Sequence, residues 1–164
     1  MSRLNVFVFC FLLIGISCGR DDEPVLDPEM TSSSDMVCKY QEPLKEETPS
    51  SNETCVFWEY NDDGLFTMTH YNAGFNCCPE AILTSMTVSG DTIYIVERDS
   101  LQLCRCNCLY DIDFVISNLQ AKKYVVSFDE PFVTDPKVPL VFEVDLEAGE
   151  SGKYCEYREF YPWL

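Results

Sequence analysis

A chain of 164 residues with 46% hydrophobic and 13% aromatic side chains carries enough apolar mass for one self-sufficient core of ordinary domain size. Its 28 acidic against 11 basic residues give a formal charge of −17, which excludes nucleic acid and anionic membrane surfaces as partners held by charge. Ten cysteines in so short a chain speak against a reducing compartment.

The first element is an address. Arg3 supplies a positive start, Val6–Ile16 form an apolar run too short to span a bilayer, and Gly15-Ile16-Ser17 lead into Cys18. Ser17-Cys18 resemble the end of a bacterial lipoprotein signal, with Gly15 standing where Leu, Val or Ile is usual. The resemblance implies cleavage after residue 17, a lipid such as palmitate on Cys18, and attachment to a membrane through that lipid. The cluster Asp21-Asp22-Glu23 is similar to the surface-export tether of Bacteroidetes lipoproteins, which implies an exported protein on the outer membrane, at the cell surface. Losing Arg3 makes the remaining chain one unit more negative.

Cysteine parity agrees with this reading. Of the ten cysteines, Cys10 leaves with the signal and Cys18 is taken by the lipid, so an even set remains: Cys38, Cys55, Cys77, Cys78, Cys104, Cys106, Cys108 and Cys155. All are disulfide candidates. The domain reading is therefore a signal over 1–17, an acidic flexible tether over 18–54, rich in Pro, Ser and Glu, and a single β domain over 55–164.

From Cys55 onward short alternating runs are broken by turn residues. Val56–Tyr60 reads as a strand, Asn61-Asp62-Asp63-Gly64 as a turn and Leu65–Tyr71 as the returning strand. Ser85–Val88 and Thr92–Val96 flank Ser89-Gly90-Asp91 as a second hairpin. Leu103–Ile116, Tyr124–Phe128, Leu140–Leu146 and Tyr154–Phe160 supply further strands, and no long amphipathic helix is evident. The expected fold is all-β, a small two-sheet antiparallel sandwich of immunoglobulin-like type with a cysteine-stabilised core. The expected domain is monomeric.

The most distinctive internal pattern is Asn76-Cys77-Cys78-Pro79 followed by Cys104-Arg105-Cys106-Asn107-Cys108-Leu109-Tyr110-Asp111. If residues 103–116 form one strand, Cys104, Cys106, Cys108, Tyr110, Ile112, Phe114 and Ile116 share a face, and Asp111 and Asp113 point the other way. Neighbours at i and i+2 would lie about 6.5–7 Å apart, too far to bridge each other comfortably, so they need partners elsewhere. The adjacent pair Cys77 and Cys78 would point to opposite faces, making one core partner easier than two. The pattern resembles an uncharacterised family of Bacteroidetes outer-surface lipoproteins that share Cys-Cys-Pro and Cys-x-Cys-x-Cys-Leu-Tyr-Asp. That resemblance, over roughly residues 70–128, implies a small exported β domain and assigns no residue a catalytic role.

Three states compete for the cluster, namely disulfides, a metal site and partly reduced cysteines that only pack, and a Cys–His hydrolase is a separate functional alternative. Disulfides suit an exported protein; a structural zinc could instead take four ligands from His70, Cys77, Cys78, Cys104, Cys106 and Cys108, as in a subunit of an outer-membrane assembly. A surface hydrolase could pair His70 with Cys77 or Cys78, although such thiols oxidise readily after export. Asp111 and Asp113 read as solvated carboxylates rather than a glycosidase pair. The triplets Asp91-Thr92-Ile93 and Asp99-Ser100-Leu101 look like O-glycosylation signals of Bacteroidetes secreted proteins, marking Thr92 and Ser100. Tyr157, Phe160, Tyr161 and Trp163 form an aromatic tail that either packs or stacks on a ligand. The expectation is a lipid-anchored surface protein without enzymatic activity or cofactor, a binding or structural accessory module whose ligand is a glycan or a protein.

Overall fold

The computed structural model describes residues 26–39, 48–61, 63–101, 104–133, 139–149 and 151–159. The signal, Cys18 and the aromatic residues Phe160, Tyr161 and Trp163 lie outside the described residues. Among the described residues nine strands follow in order: β1 (Glu29–Ser33), β2 (Glu53–Tyr60), β3 (Phe66–Asn76), β4 (Ile82–Ser89), β5 (Thr92–Asp99), β6 (Asn107–Ser117), β7 (Lys123–Asp129), β8 (Val141–Asp145) and β9 (Gly152–Tyr157). The described residues contain no helix.

The strands form two sheets, one of five strands in the order β1-β6-β3-β2-β9 and one of four in the order β4-β5-β7-β8. The expected all-β, cysteine-bridged sandwich is what forms. Pairing is antiparallel except between β5 and β7. That parallel pair arises because β6, which separates β5 from β7 in sequence, lies in the other sheet. The chain thus returns to the four-stranded sheet in its original direction, a long connection being what parallel neighbours require.

Alternation decides which residues meet between the sheets. On β6, Cys108, Tyr110, Ile112, Phe114 and Ile116 are buried, whereas Asp113 and Val115 are exposed. On β5 and β7, Ile93, Ile95, Tyr124, Val126 and Phe128 are buried. Fully burying each such side chain stabilises the fold by about 1.5–3 kcal/mol before chain entropy is charged against it. Aromatic rings tie the sheets together: Trp58 of β2 stacks on Phe142 of β8 at 4.9 Å, and Phe142 also stacks with Tyr154 of β9 at 5.3 Å. Gly152 lies opposite Trp58 in the register, and a Cβ there would overlap the indole ring.

Two local features set the geometry of the sites. The β4–β5 hairpin turns at Gly90, whose φ of 60° suits a residue without Cβ. On β3 the register with β6 shifts between His70 and Ala73, where Asn72 takes a φ of 61°. This bulge inserts a residue, so His70 faces inward and, beyond it, Ala73 and Phe75 do too. Asn72 is held there by donating from Nδ2 to the carbonyls of Ser50 and Glu53, while its own N–H donates to Asp111.

Part of the segment expected to be tether is joined to the domain. Glu29–Ser33 pairs with β6, Lys39 bridges to Leu109, and Cys38 is bonded to Cys108. β1 escaped the sequence pattern because, as an edge strand with most residues exposed, it carries no alternating apolar face.

Candidate functional site

All eight cysteines from Cys38 onward are bonded in four bridges: Cys38–Cys108, Cys55–Cys155, Cys77–Cys106 and Cys78–Cys104. Cys55 and Cys155 face each other directly across β2 and β9, with Cα atoms 4.1 Å apart. Cys77 and Cys78 leave the end of β3, and Cys104 and Cys106 approach the start of β6. Asn76 and Asn107 are register partners, so those flanking segments run side by side.

Here the structure departs from the extended-strand reading. β6 begins at Asn107, and Cys104 and Cys106 lie in a bend before it. The bend frees both sulfurs from the period-two face, and Cys77 and Cys78 therefore each find a partner, at Cα separations of 5.4 and 5.5 Å.

Asn76 organises this end. It is buried; its Nδ2 donates to the carbonyls of Cys104 (2.6 Å) and Cys106 (3.0 Å), and its Oδ1 accepts from the N–H groups of Cys78 (3.0 Å) and Cys104 (3.3 Å). The Cys77 N–H adds a bond to the Cys106 carbonyl at 3.0 Å, and the Tyr110 hydroxyl donates to the Asn76 carbonyl. Two disulfides are thereby packed together: the Cys77 and Cys78 sulfurs are 3.9 Å apart, and the sulfurs of Cys77, Cys104 and Cys106 all lie within 4.8 Å of one another. The zinc set anticipated from sequence is not assembled as such. Cys108 is bonded to Cys38, and His70 belongs to a different cluster.

That second cluster lies between the sheets. His70 of β3 points inward with Thr54 of β2 and meets Glu97 of β5, Glu130 just past β7 and Arg158 just past β9, all buried. Thr54 Oγ1 and His70 Nε2 are 2.7 Å apart, His70 Nδ1 and Glu97 Oε1 2.9 Å, and Arg158 Nη2 donates to Glu130 Oε2 at 2.6 Å. Glu130 Oε1 lies 3.8 Å from His70 Nε2. Among the described residues Glu97 Oε2 and Glu130 Oε1 find no hydrogen-bond partner.

Burial pushes the Glu130 carboxyl up to about 7, against the pull of His70 and Arg158. For His70 burial works downward, but Glu97 and Glu130 outweigh it and raise the imidazole above its ordinary value. With His70 fully enclosed, the arrangement is an ionic cross-link between sheets and not a substrate site.

It also removes the basis for the Cys–His dyad. Both ring nitrogens of His70 are occupied by Thr54 and Glu97, and Cys77 and Cys78 are in disulfides. Sequence reading singled out His70 but neither Glu97 nor Glu130 and Arg158. Glu97 did leave a signal, since it occupies the inward phase of β5 after Ile93 and Ile95.

The third feature is open to solvent. On the outer face of the five-stranded sheet a groove of about 700 Å³ is lined by Glu53, Phe57, Tyr71, Lys153, the Cys55–Cys155 bridge and residues 48–50. Phe57 and Tyr71 meet edge-on at 4.9 Å, Lys153 lies over Phe57 at 5.7 Å and Lys39 over Tyr71 at 5.6 Å. Tyr157, on the same outward phase of β9 as Lys153 and Cys155, is 63% exposed. Asp111 and Asp113 turn outward as expected, Asp111 paired with Lys39 and Asp113 accepting from Thr69. Thr92 opens β5 and Ser100 follows it, both half-buried, with Ser100 Oγ accepting from the Ala81 N–H.

No protein-family model, curated protein or solved structure matches this chain.

Proposed function

We propose that the protein is an exported, lipid-anchored surface module that binds a glycan or a protein through the outer face of its five-stranded sheet. The observation that carries this reading is the cysteine count: the eight from Cys38 to Cys155 pair among themselves, so after loss of Cys10 with the signal only Cys18 is left for the lipid. The bridges suit an oxidising exterior. The groove supplies what recognition needs, two aromatic faces beside cationic side chains on a rigid, covalently stapled sheet.

The test feeds cells an alkyne-tagged fatty acid and follows the tag on the full chain and on Cys18→Ala. The tag should appear on the wild type, in the membrane fraction, and vanish in the variant. A wild-type chain that carries no tag, or a variant that keeps it, overturns the anchor. Binding is read by capture of surface glycans and proteins from the producing cells; Phe57→Ala and Tyr71→Ala should abolish capture without lowering Tm by more than a few degrees.

A further inference from the structure

The two stacked disulfides at the end of β3 go beyond stapling. We propose that Cys77, Cys78, Cys104 and Cys106 form a thiol–disulfide exchange site, entered by a solvent thiol at Cys106 and relayed from Cys77 to the inner bridge.

Access is graded along the cluster. Cys106 is exposed, whereas Cys77, Cys78 and Cys104 are half-buried. Arg105, exposed between Cys104 and Cys106, brings positive charge to the entrance, opposite in sign to an attacking thiolate. The attack itself is an in-line displacement at sulfur and needs the incoming and accepting sulfurs close together. Among the described residues, three of the four sulfurs meet that condition mutually, lying within 4.8 Å of one another, and the fourth is 3.9 Å from Cys77.

The steps balance without any cofactor. A thiolate RS⁻ attacks Cys106 Sγ; the Cys77–Cys106 bond breaks, its electron pair stays on Cys77, and an RS–Cys106 mixed disulfide forms. The Cys77 thiolate then attacks Cys104 Sγ, forming Cys77–Cys104 and releasing the pair to Cys78, which takes a proton from solvent. A second RS⁻ attacks the RS sulfur of the mixed disulfide, giving RSSR and a Cys106 thiolate that takes a proton from solvent. Two thiols are oxidised to one disulfide, and one protein disulfide becomes the dithiol of Cys78 and Cys106. Cys104 is the target of Cys77, and Cys78 is not, because adjacent Cα atoms are held about 3.8 Å apart, short of the spacing a disulfide favours.

Asn76 makes the relay intramolecular. Its bonds to the Cys104 and Cys106 carbonyls, and the Cys77 N–H bond to the Cys106 carbonyl, involve no sulfur. The two segments therefore stay side by side when the first bridge opens. Cys77 is left facing its next partner at high effective concentration.

The experiment treats the purified full chain with substoichiometric glutathione, quenches with acid, alkylates free thiols and maps them. Trypsin cuts after Arg105 and separates Cys104 from Cys106, and fragmentation locates the alkyl group on Cys77 or Cys78. The relay predicts glutathione on Cys106 and alkylation of Cys78 within about tenfold of that of Cys77, with a Cys77–Cys104 link in the Cys78-alkylated fraction. Alkylation confined to Cys77 with Cys78–Cys104 intact overturns the transfer, and opening of Cys55–Cys155 before the cluster overturns Cys106 as the entry point. In the variant Cys78→Ala/Cys104→Ala the alkyl group should appear on Cys77 alone; glutathione absent from Cys106 in a folded variant would contradict the entry step. The wild-type map decides the transfer whether or not that variant folds.

Discussion

The covalent end of the sandwich and its ionic middle join strands by opposite means. Each disulfide links strands of the five-stranded sheet or segments flanking them, and none reaches a strand of the four-stranded sheet. Among the described residues, contact between the sheets rests on apolar and aromatic packing, on the buried cluster of His70, Thr54, Glu97, Glu130 and Arg158, and on two further hydrogen bonds, Asn76 N–H to Asp99 and Ser32 with Thr84. One sheet is thus made rigid against chain entropy, while the joint between sheets responds to protonation. Reductant should act on the first and leave the second intact, and pH should do the reverse.

The largest effect should come from the covalent side. Cys55–Cys155 spans 100 residues, Cys38–Cys108 spans 70, and the two cluster bridges 29 and 26. On chain-entropy grounds Cys55→Ala/Cys155→Ala should cost up to about 4.7 kcal/mol and Cys78→Ala/Cys104→Ala nearer about 3.5 kcal/mol, as read by denaturant unfolding. A reversed order would show that local packing outweighs loop length. Next, Glu130→Ala leaves the Arg158 guanidinium buried without its carboxylate and should cost about 3–5 kcal/mol in the same assay. Loss below about 1 kcal/mol would place Arg158 in water and dissolve the contrast.

Gly152→Ala probes the apolar joint. Its Cβ meets the Trp58 indole, which is stacked on Phe142, so the expected cost is about 1–3 kcal/mol, accompanied by a change in tryptophan fluorescence.

The smallest effect is that of pH. Glu130 and His70 both have folded values above their unfolded ones, so the stability they contribute is fully present below the unfolded values and is lost as pH rises, for Glu130 through about 7. Between pH 5 and pH 8 the wild-type Tm should fall more than that of Glu130→Gln, with the disulfides intact in both. Equal slopes would remove Glu130 from the account.

Local periodicity made much of the sandwich legible. The Ser89-Gly90-Asp91 hairpin and the inward run from Cys108 to Ile116 follow from nearest-neighbour geometry, and both are found where alternation puts them. What stayed hidden depends on distant partners. The parallel β5–β7 pair exists because β6 crosses to the other sheet, and β1 exists because β6 has a free edge. The bend at Cys104–Cys106 is fixed by Asn76, 28 residues before Cys104, through hydrogen bonds that no spacing rule encodes. Of the ionic cluster His70 stood out as the single histidine, and Glu97 left a signal that was not taken up, a charge in the inward phase of β5; Glu130 and Arg158 lie past strand ends, where alternation gives no direction.

The most direct test of the account is a non-reducing peptide map of the protein as cells export it. The predicted result is four linked pairs, Cys38–Cys108, Cys55–Cys155, Cys77–Cys106 and Cys78–Cys104, together with a fatty-acylated Cys18. A Cys18 found in a disulfide, or a free thiol anywhere between Cys38 and Cys155, would contradict it.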